Sequence, residues 1–476
     1  MPRFKSLMPL LLVFIAASAP FVFAAAESEL RRRLVQNAKN DSAAGAAVLA
    51  SVFDDCGDRV YAMRKTPLAQ RGYILLMRDA QDAVAEMNSP DAQKVFAAWL
   101  PRISLEGQIA LCHALKRCRA NVDLDAVAIK LLVPTIDFRA RVAIYDLLGA
   151  HRYSLARDVL IQGLDPSVHT AVQISACRAL ANLPDKNCIP PLIDYIAALP
   201  PEKGGRLVYE AAGALHALTG QAFGGSATDW RKWWNANYKE FAIDGNKFHD
   251  PEYNTELAEK NDLEYYEMPI VESRLVIVLD TSGSMIMGGK PNRIESAKTE
   301  LKALIKGLNS NAQFNIITFS TGVRRWKPKD PLVYASDANK KDACKFIDSQ
   351  KPDGITETVL AMEEVFREIA QNNGCETVYL VTDGDPTPWG KGATAEMHER
   401  LFSTINQSLK VRINTIGIYT LTKQDTRTPP RQGEGVDLKK MKKFLFDLAA
   451  NNDGVTREVG DNLVKIDPRK EKPKLP

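Results

Sequence analysis

Five oxygen-bearing side chains stand where a folded chain could gather them around one metal ion. They are Asp280, Ser282, Ser284, Thr356 and Asp383. Asp280 ends a run of β-forming residues at 275–279, and a second such run at 377–381 leads into Asp383. Ligands collect at the carboxyl ends of the strands in an open parallel sheet, so both carboxylates are expected at one edge. Two carboxylates and three hydroxyls suit a hard cation such as Mg²⁺, which takes six oxygen ligands at about 2.0–2.1 Å, with Mn²⁺ or Ca²⁺ as alternatives.

This pattern resembles the metal-ion-dependent adhesion site of the von Willebrand factor A family. The matching segments are Asp280-Thr281-Ser282-Gly283-Ser284, a downstream threonine, and Thr382-Asp383-Gly384 at the end of a strand. The resemblance covers about residues 270–462. It implies that the protein binds a divalent cation on the face of an α/β domain and does no chemistry on its partner.

The resemblance also implies a role for each residue. Ser282, Ser284 and Thr356 would bind the ion directly or nearly so, and Asp280 and Asp383 would act largely through bound waters. The sixth position would be left for an Asp or Glu carboxylate of a partner protein.

The threonine is the weakest part of the match. The segment reads Asp353-Gly354-Ile355-Thr356-Glu357-Thr358, and the family usually has a second glycine where Ile355 stands. Thr358 is therefore an alternative to Thr356. An ordinary strand-to-helix turn at Ser282-Gly283-Ser284 and a plain loop at Asp383 are the competing interpretations of the two acidic motifs, since single motif matches carry a false-positive risk.

Composition indicates a multidomain globular protein. The chain has 476 residues, 45% of them hydrophobic and 25% charged, which predicts two or three domains. A net charge of +4 gives no electrostatic reason to expect nucleic acid as a partner. The seven cysteines lack a Cys-x-x-Cys pair, which argues against a zinc knot and leaves one or two disulfides open.

The N-terminus resembles an export signal. Arg3 and Lys5 precede an apolar run at 7–23 and small residues at 24–26. This order is typical of a secretory signal peptide over residues 1–26. We therefore expect an exported protein that is periplasmic, in the cell envelope or extracellular. An uncleaved membrane anchor is the alternative, and only then would the membrane be a partner.

Residues 27–240 show helical periodicity with an internal repeat. Leu115, Leu148, Leu180 and Leu215 occupy equivalent places in helical segments and lie 33, 32 and 35 residues apart. Two helices per unit at this period resemble HEAT-like repeats and predict an α-solenoid, whose curved face could contact a second protein. An irregular helical bundle is the alternative.

The second half reads as an α/β domain. Residues 241–269 are predicted to be a linker, and 270–462 alternate strands and helices. Such alternation predicts a Rossmann-like, mainly parallel sheet covered on both faces. Residues 463–476 form a lysine-rich tail that is predicted to be solvated surface.

These expectations favour a non-enzymatic binding module. A metal-independent structural scaffold is one alternative. A metal-assisted hydrolase is another, but the chain has six histidines, no Gly-x-Ser-x-Gly elbow and no Walker-type Gly-Lys-Ser/Thr motif.

Overall fold

The computed structural model describes residues 33–34, 36–38, 40–199, 204–243, 263–372, 374–390, 393–419 and 438–460. The predicted signal peptide, the C-terminal tail and most of the predicted linker lie outside these residues. The chain divides into two compact units. The first contains the described residues up to Ile136 together with Gly390, and the second contains the other described residues. The division lies within the helical region that the sequence assigns to one domain.

The first unit is helical. Its helices are α1 Ala43–Ala62, α2 Pro67–Val84, α3 Pro90–Trp99, α4 Leu105–Leu115 and α5 Val122–Lys130. Local signals set their beginnings: Ser89 caps α3 by accepting a hydrogen bond from the Ala92 N–H, and Pro90 fills the first helical position. Helix α1 packs against α2, α3 and α4 and buries residues such as Leu49 and Phe53.

The second unit begins with six more helices. They are α6 Phe138–Ala150, α7 Arg157–Gln162, α8 Thr170–Asn182, α9 Ile189–Ala198, α10 Gly204–Thr219 and α11 Ala227–Asn237. Helix α8 lies between α6 and α10. At the crossing with α6, a Cβ added to Gly149 would come within 2.6 Å of the Ala179 Cα. Small residues therefore allow these helices to pack closely.

The second unit continues into an α/β domain. Its strands are β1 Glu264–Tyr265, β2 Met268–Pro269, β3 Arg274–Asp280, β4 Gln313–Phe319, β5 Val323–Arg325, β6 Val333–Tyr334, β7 Thr377–Thr382, β8 Arg412–Ile418 and β9 Thr456–Val459. Within the described residues, seven strands form one sheet in the order β5-β4-β3-β7-β8-β9, with β6 also paired to β4. Strands β4, β3, β7, β8 and β9 run parallel, which confirms the predicted mainly parallel sheet. Strands β5 and β6 pair antiparallel with β4 and were not predicted.

Helices cover the sheet. They are α12 Arg293–Gly307, α13 Asp337–Ser349, α14 Thr358–Glu364, α15 Ala395–Asn406 and α16 Leu438–Ala450. Helix α14 continues beyond Glu364 as a π-helix, Val365–Ile369. Residues 264–269, expected to lie in the linker, form the β1–β2 pair, and Tyr265 and Met268 enter the hydrophobic core.

Helices α6 and α10 contact the amino end of the sheet through buried charges. Arg206 is fully buried and donates from Nη1 to the carbonyl oxygens of Glu376 (2.6 Å) and Lys410 (2.5 Å). Lys410 Nζ in turn donates to Asp146 Oδ2 at 2.5 Å. Because Glu376 and Lys410 immediately precede β7 and β8, these bonds fix the helices to the end of the sheet opposite the predicted metal site.

All seven cysteines are unpaired in the structure. Cys344 is half-buried and the others are buried, so they pack as small hydrophobic side chains. No helix among the described residues is both long and apolar enough to cross a membrane.

Candidate metal centre

Two neighbouring strands deliver the acidic residues to one edge of the sheet. Strands β3 and β7 are almost entirely buried, run parallel, and pair Leu279 with Val381 near their carboxyl ends. Asp280 is the last residue of β3, and Thr382 ends β7 just before Asp383. The hydrophobic runs thus fix the register that places the two carboxylates side by side.

Asp280 is oriented by hydrogen bonds to both of its carboxylate oxygens. The Ser282 N–H donates to Oδ1 at 2.7 Å, and the Thr382 hydroxyl donates to Oδ2 at 2.5 Å. Burial and the charge of Asp383 raise the pKa of Asp280 to about 6, although these hydrogen bonds favour the ionised form. Two acidic groups in one buried place therefore repel each other and would be stabilised by a cation.

The two serine hydroxyls join this pair. Gly283–Ile286 forms a turn of 3₁₀-helix, which brings Ser282 Oγ and Ser284 Oγ to 3.1 Å from each other. Ser284 Oγ donates to Asp383 Oδ1 at 2.7 Å. The structure therefore connects Asp280, Ser282, Ser284 and Asp383 through successive hydrogen bonds.

Thr356 lies beside this group. A Cβ added to Gly384 would lie 3.2 Å from Thr356 Oγ1 and 3.9 Å from Ser284 Oγ. The Thr356 backbone is fixed by Thr387, whose hydroxyl accepts from the Thr356 N–H and whose N–H donates to the Thr356 carbonyl. A side chain larger than glycine at position 384 would crowd both hydroxyls.

Thr358, the alternative, lies in the first turn of α14. Its hydroxyl is buried and has no hydrogen-bond partner, and it is not among the atoms next to the Gly384 position. Of the two threonine hydroxyls, that of Thr356 is therefore the nearer to the Gly384 position.

The loop that leads to Thr356 contains one glycine of the family pattern, Gly354. Gly354 has φ of +75°, and its carbonyl accepts from the Gly283 N–H at 3.0 Å. Among the described residues of this loop, Gly354 alone has a positive φ, so Ile355 can stand where the family usually has a second glycine without backbone strain.

Arg293 is a member of this site that sequence reasoning missed. It opens α12, is 8% exposed, and donates from Nη1 to Asp383 Oδ2 at 2.8 Å. Asp383 thus offers Oδ1 to Ser284 while Arg293 holds Oδ2. In the sequence Arg293 looks like an ordinary first-turn residue of a helix, and its partner lies 90 positions away.

The donor set fits a hard divalent cation. It offers carboxylate and hydroxyl oxygens without nitrogen or sulfur, as Mg²⁺ and Ca²⁺ prefer. Burial first, and then the charge of Asp383, raise the pKa of Asp280, so its ionised form is unfavourable without a cation. Within the described residues, no group of three or more His, Cys, Asp and Glu side chains could hold a metal ion. A metal here would therefore depend on the hydroxyls as well as the two carboxylates.

Comparison with known proteins agrees with the fold of the α/β domain. Residues 273–426 match the family model of the von Willebrand factor type A domain. The C-terminal α/β domain is therefore a von Willebrand factor A-like domain.

Among curated proteins, inter-alpha-trypsin inhibitor heavy chain H3 of Mesocricetus auratus is 31% identical over 201 residues, which is 40% of this chain and 20% of that protein. Heavy chain 4 of the inter-alpha-trypsin inhibitor of Mus musculus is 31% identical over 128 residues, 25% of this chain and 13% of that protein. The similarity thus spans a fifth or less of these relatives. Among solved structures, a von Willebrand factor type A protein from Catenulispora acidiphila is 21% identical, with a TM-score of 0.30 over 39% of this chain and 38% of that one.

Proposed function

We propose that this protein is a non-enzymatic protein-binding module that recognises a partner through a divalent cation. Ser282, Ser284 and Thr356 would bind the cation, and Asp280 and Asp383 would support it. A partner Asp or Glu would complete the coordination. Mg²⁺ is the first candidate, with Mn²⁺ or Ca²⁺ as substitutes.

The observation that carries this proposal is the convergence of the five residues. Segments 280–284, 356 and 383 are far apart in sequence, yet their oxygen atoms lie together at the carboxyl end of β3 and β7. An ordinary turn at Ser282 would not require Ser284 Oγ to bond with Asp383 Oδ1. When bound, the cation would supply a positive centre that attracts an outside carboxylate.

The proposal also covers the helical region and the N-terminal segment. We infer that the helices of residues 27–240 form HEAT-like repeats whose curved face contacts a second protein. Packing of α8 between α6 and α10 is consistent with stacked helical pairs. We also infer export to the periplasm, the cell envelope or the exterior from the signal-like N-terminus.

Thermal unfolding of the full chain tests the metal site. Binding to the folded state alone stabilises it by about 2.7 kcal/mol when the free metal is at 100 times its Kd. We expect Mg²⁺ or Mn²⁺ to raise the Tm of the parent by about 5 °C or more relative to EDTA. Asp280→Ala should abolish this shift.

The matched control is Asp348→Ala, which removes an acidic side chain from the exposed ion pair with Lys302. It should keep the metal response of the parent. Equal responses in the parent and in Asp280→Ala would refute the proposed site.

A further inference from the structure

Large hydrophobic side chains are exposed around the candidate metal centre. Among the described residues of the α/β domain, six such side chains are more than a third exposed: Ile286, Met287, Tyr334, Ile355, Leu360 and Phe446. Three of them lie within three positions of Ser284 or Thr356. Ile286 is 62% exposed, Met287 50% and Ile355 46%. We call Ile286, Met287 and Ile355 the apolar rim.

The two loops of the apolar rim are joined to each other. The Gly283 N–H donates to the Gly354 carbonyl at 3.0 Å, and the Asp353 N–H donates to the Thr281 carbonyl at 2.9 Å. Ile355 directly follows Gly354, and Ile286 closes the 3₁₀ turn that begins at Gly283. The rim therefore lies on the same two joined loops that carry Ser284 and Thr356.

The apolar rim is not part of the hydrophobic core of the α/β domain. Met285, in the same turn, is fully buried in the core cluster, whereas Ile286, Met287 and Ile355 lie outside it. The backbone of Met287 is nevertheless fixed, because its N–H donates to the Ser284 carbonyl and its carbonyl accepts from Arg293 N–H. A fixed backbone that presents apolar side chains to solvent is typical of an interaction surface.

The charge at the centre indicates what this surface would bind. Arg293 offsets the charge of Asp383, so a divalent cation held with Asp280 would leave the site positive. A positive centre within apolar surroundings is complementary to a carboxylate that has apolar neighbours. Partner atoms packed on the rim would also exclude water and strengthen the ionic contact.

We propose that the partner of this face is a protein segment whose Asp or Glu is flanked by large apolar side chains, which bind Ile286, Met287 and Ile355. This inference rests on the proposed function, since the carboxylate needs the cation. It adds that the rim, and not the cation alone, selects the partner.

Three short fluorescent peptides test the inference on the full chain in Mg²⁺ and in EDTA. One has an aspartate between leucines, the second an aspartate between serines, and the third an asparagine between leucines. By fluorescence anisotropy, the first should bind about ten times more tightly than the second, because leucine burial contributes favourably. The third should not bind, and EDTA should release the first.

Two variants separate the rim from the metal site. The double variant Ile286→Ser with Ile355→Ser should bind Mg²⁺ as the parent does in calorimetry but lose the tenfold preference. Tyr334→Ser removes an exposed aromatic side chain from β6 and should keep the preference.

The outcomes distinguish the inference from the proposed function. If the parent binds Mg²⁺ and the two aspartate peptides bind equally, or neither binds, the rim does not select the partner and the inference is overturned. If the parent binds no divalent cation, the proposed function fails as well. A dimer in sedimentation that the double variant dissociates would assign the rim to a second copy of this chain and would also overturn the inference.

Discussion

Charged side chains are buried at both ends of the central sheet, but they are balanced differently. At the amino end, arginine and lysine side chains meet carboxylates from helices of the same unit: Arg178 donates two hydrogen bonds to Glu210 at 2.8 and 2.7 Å. Although burial would raise the pKa of Glu210, Arg178 lowers it below its usual value. At the carboxyl end, Arg293 pairs with Asp383, whereas burial and the charge of Asp383 raise the pKa of Asp280.

The difference shows what each end does. The amino end is completed by the chain itself and holds helices α6 and α10 to the sheet. At the carboxyl end two carboxylates lie near one arginine, and the serine hydroxyls bond to each other and to Asp383. A chain can tolerate such an arrangement when an ion from outside completes it. The first end is therefore structural, and the second is the candidate site.

Removing Arg206 tests the structural end and should have the largest effect. Arg206→Ala would leave two buried carbonyl oxygens and part of Glu210 without their donor. We expect a loss of about 3–5 kcal/mol in the free energy of unfolding, measured by urea denaturation. Arg231→Ala, in an exposed ion pair with Asp194, should change it by less than about 1 kcal/mol. Equal effects would show that the amino end is not a buried ionic interface.

Neutralising Asp280 tests the opposite end. Asp280→Asn keeps the shape of the side chain and removes the repulsion with Asp383. In EDTA at pH 7, we expect the variant to be more stable than the parent by about 3 kcal/mol, since the pKa of Asp280 is raised from 3.8 to about 6 and each pKa unit corresponds to about 1.4 kcal/mol. It should gain nothing from Mg²⁺. A less stable variant in EDTA would mean that the ionised carboxylate stabilises the fold without metal.

The difference in stability between the parent and Asp280→Asn should depend on pH, and the raised pKa of Asp280 determines the sign of that dependence. The pKa of Asp280 is about 6 in the folded chain, above the usual 3.8 of an aspartate, so the folded state holds this proton more tightly. The parent therefore gains stability from Asp280 as the pH falls from 7 towards 4. The difference from Asp280→Asn in EDTA should shrink to less than about 0.5 kcal/mol at pH 4. A difference that grows on acidification would contradict the raised pKa.

Gly354 tests the loop that carries Thr356. Gly354→Ala places a Cβ at φ of +75° and 2.2 Å from Thr321 Oγ1, so the loop must shift. We expect a loss of about 1 kcal/mol in stability and a weaker metal response. Gly322→Ala in the neighbouring loop meets no atom within 4 Å and is the matched control, with an expected change of less than about 0.5 kcal/mol. Equal stability and equal metal response in Gly354→Ala and Gly322→Ala would show that the loop does not require glycine at position 354.

Glu376 is the exception at the amino end and should give the smallest effect. Its carboxylate oxygens are buried without hydrogen-bond partners, and burial raises its pKa to about 7 despite Arg274 and Arg206. At pH 6 the group is mostly neutral already, so Glu376→Gln should change stability by less than about 1 kcal/mol. A larger loss at pH 6 would place Glu376 among the paired charges.

The fold of the α/β domain and the place of Asp280 and Asp383 at one edge of its sheet were predictable because their signals are local. Each β-forming run fixes a strand, and the residue after it falls at the carboxyl edge, as for Asp280 and Asp383. Long-range pairs carry no such signal. Lys410 and Asp146 lie 264 positions apart, and neither segment contains a pattern that identifies the other as its partner. Arg293 was missed for the same reason, and β5 and β6 because strands of two or three residues give too short a pattern.

The most direct measurement of the central claim is anomalous diffraction from crystals of the full chain soaked in Mn²⁺. One strong peak should lie within about 2.5 Å of Ser282 Oγ and Ser284 Oγ, near Thr356 and the two carboxylates. The peak should be absent from crystals of Asp280→Asn. A parent crystal with no peak at these hydroxyls, or with its peak at the amino end of the sheet, would contradict the proposed site.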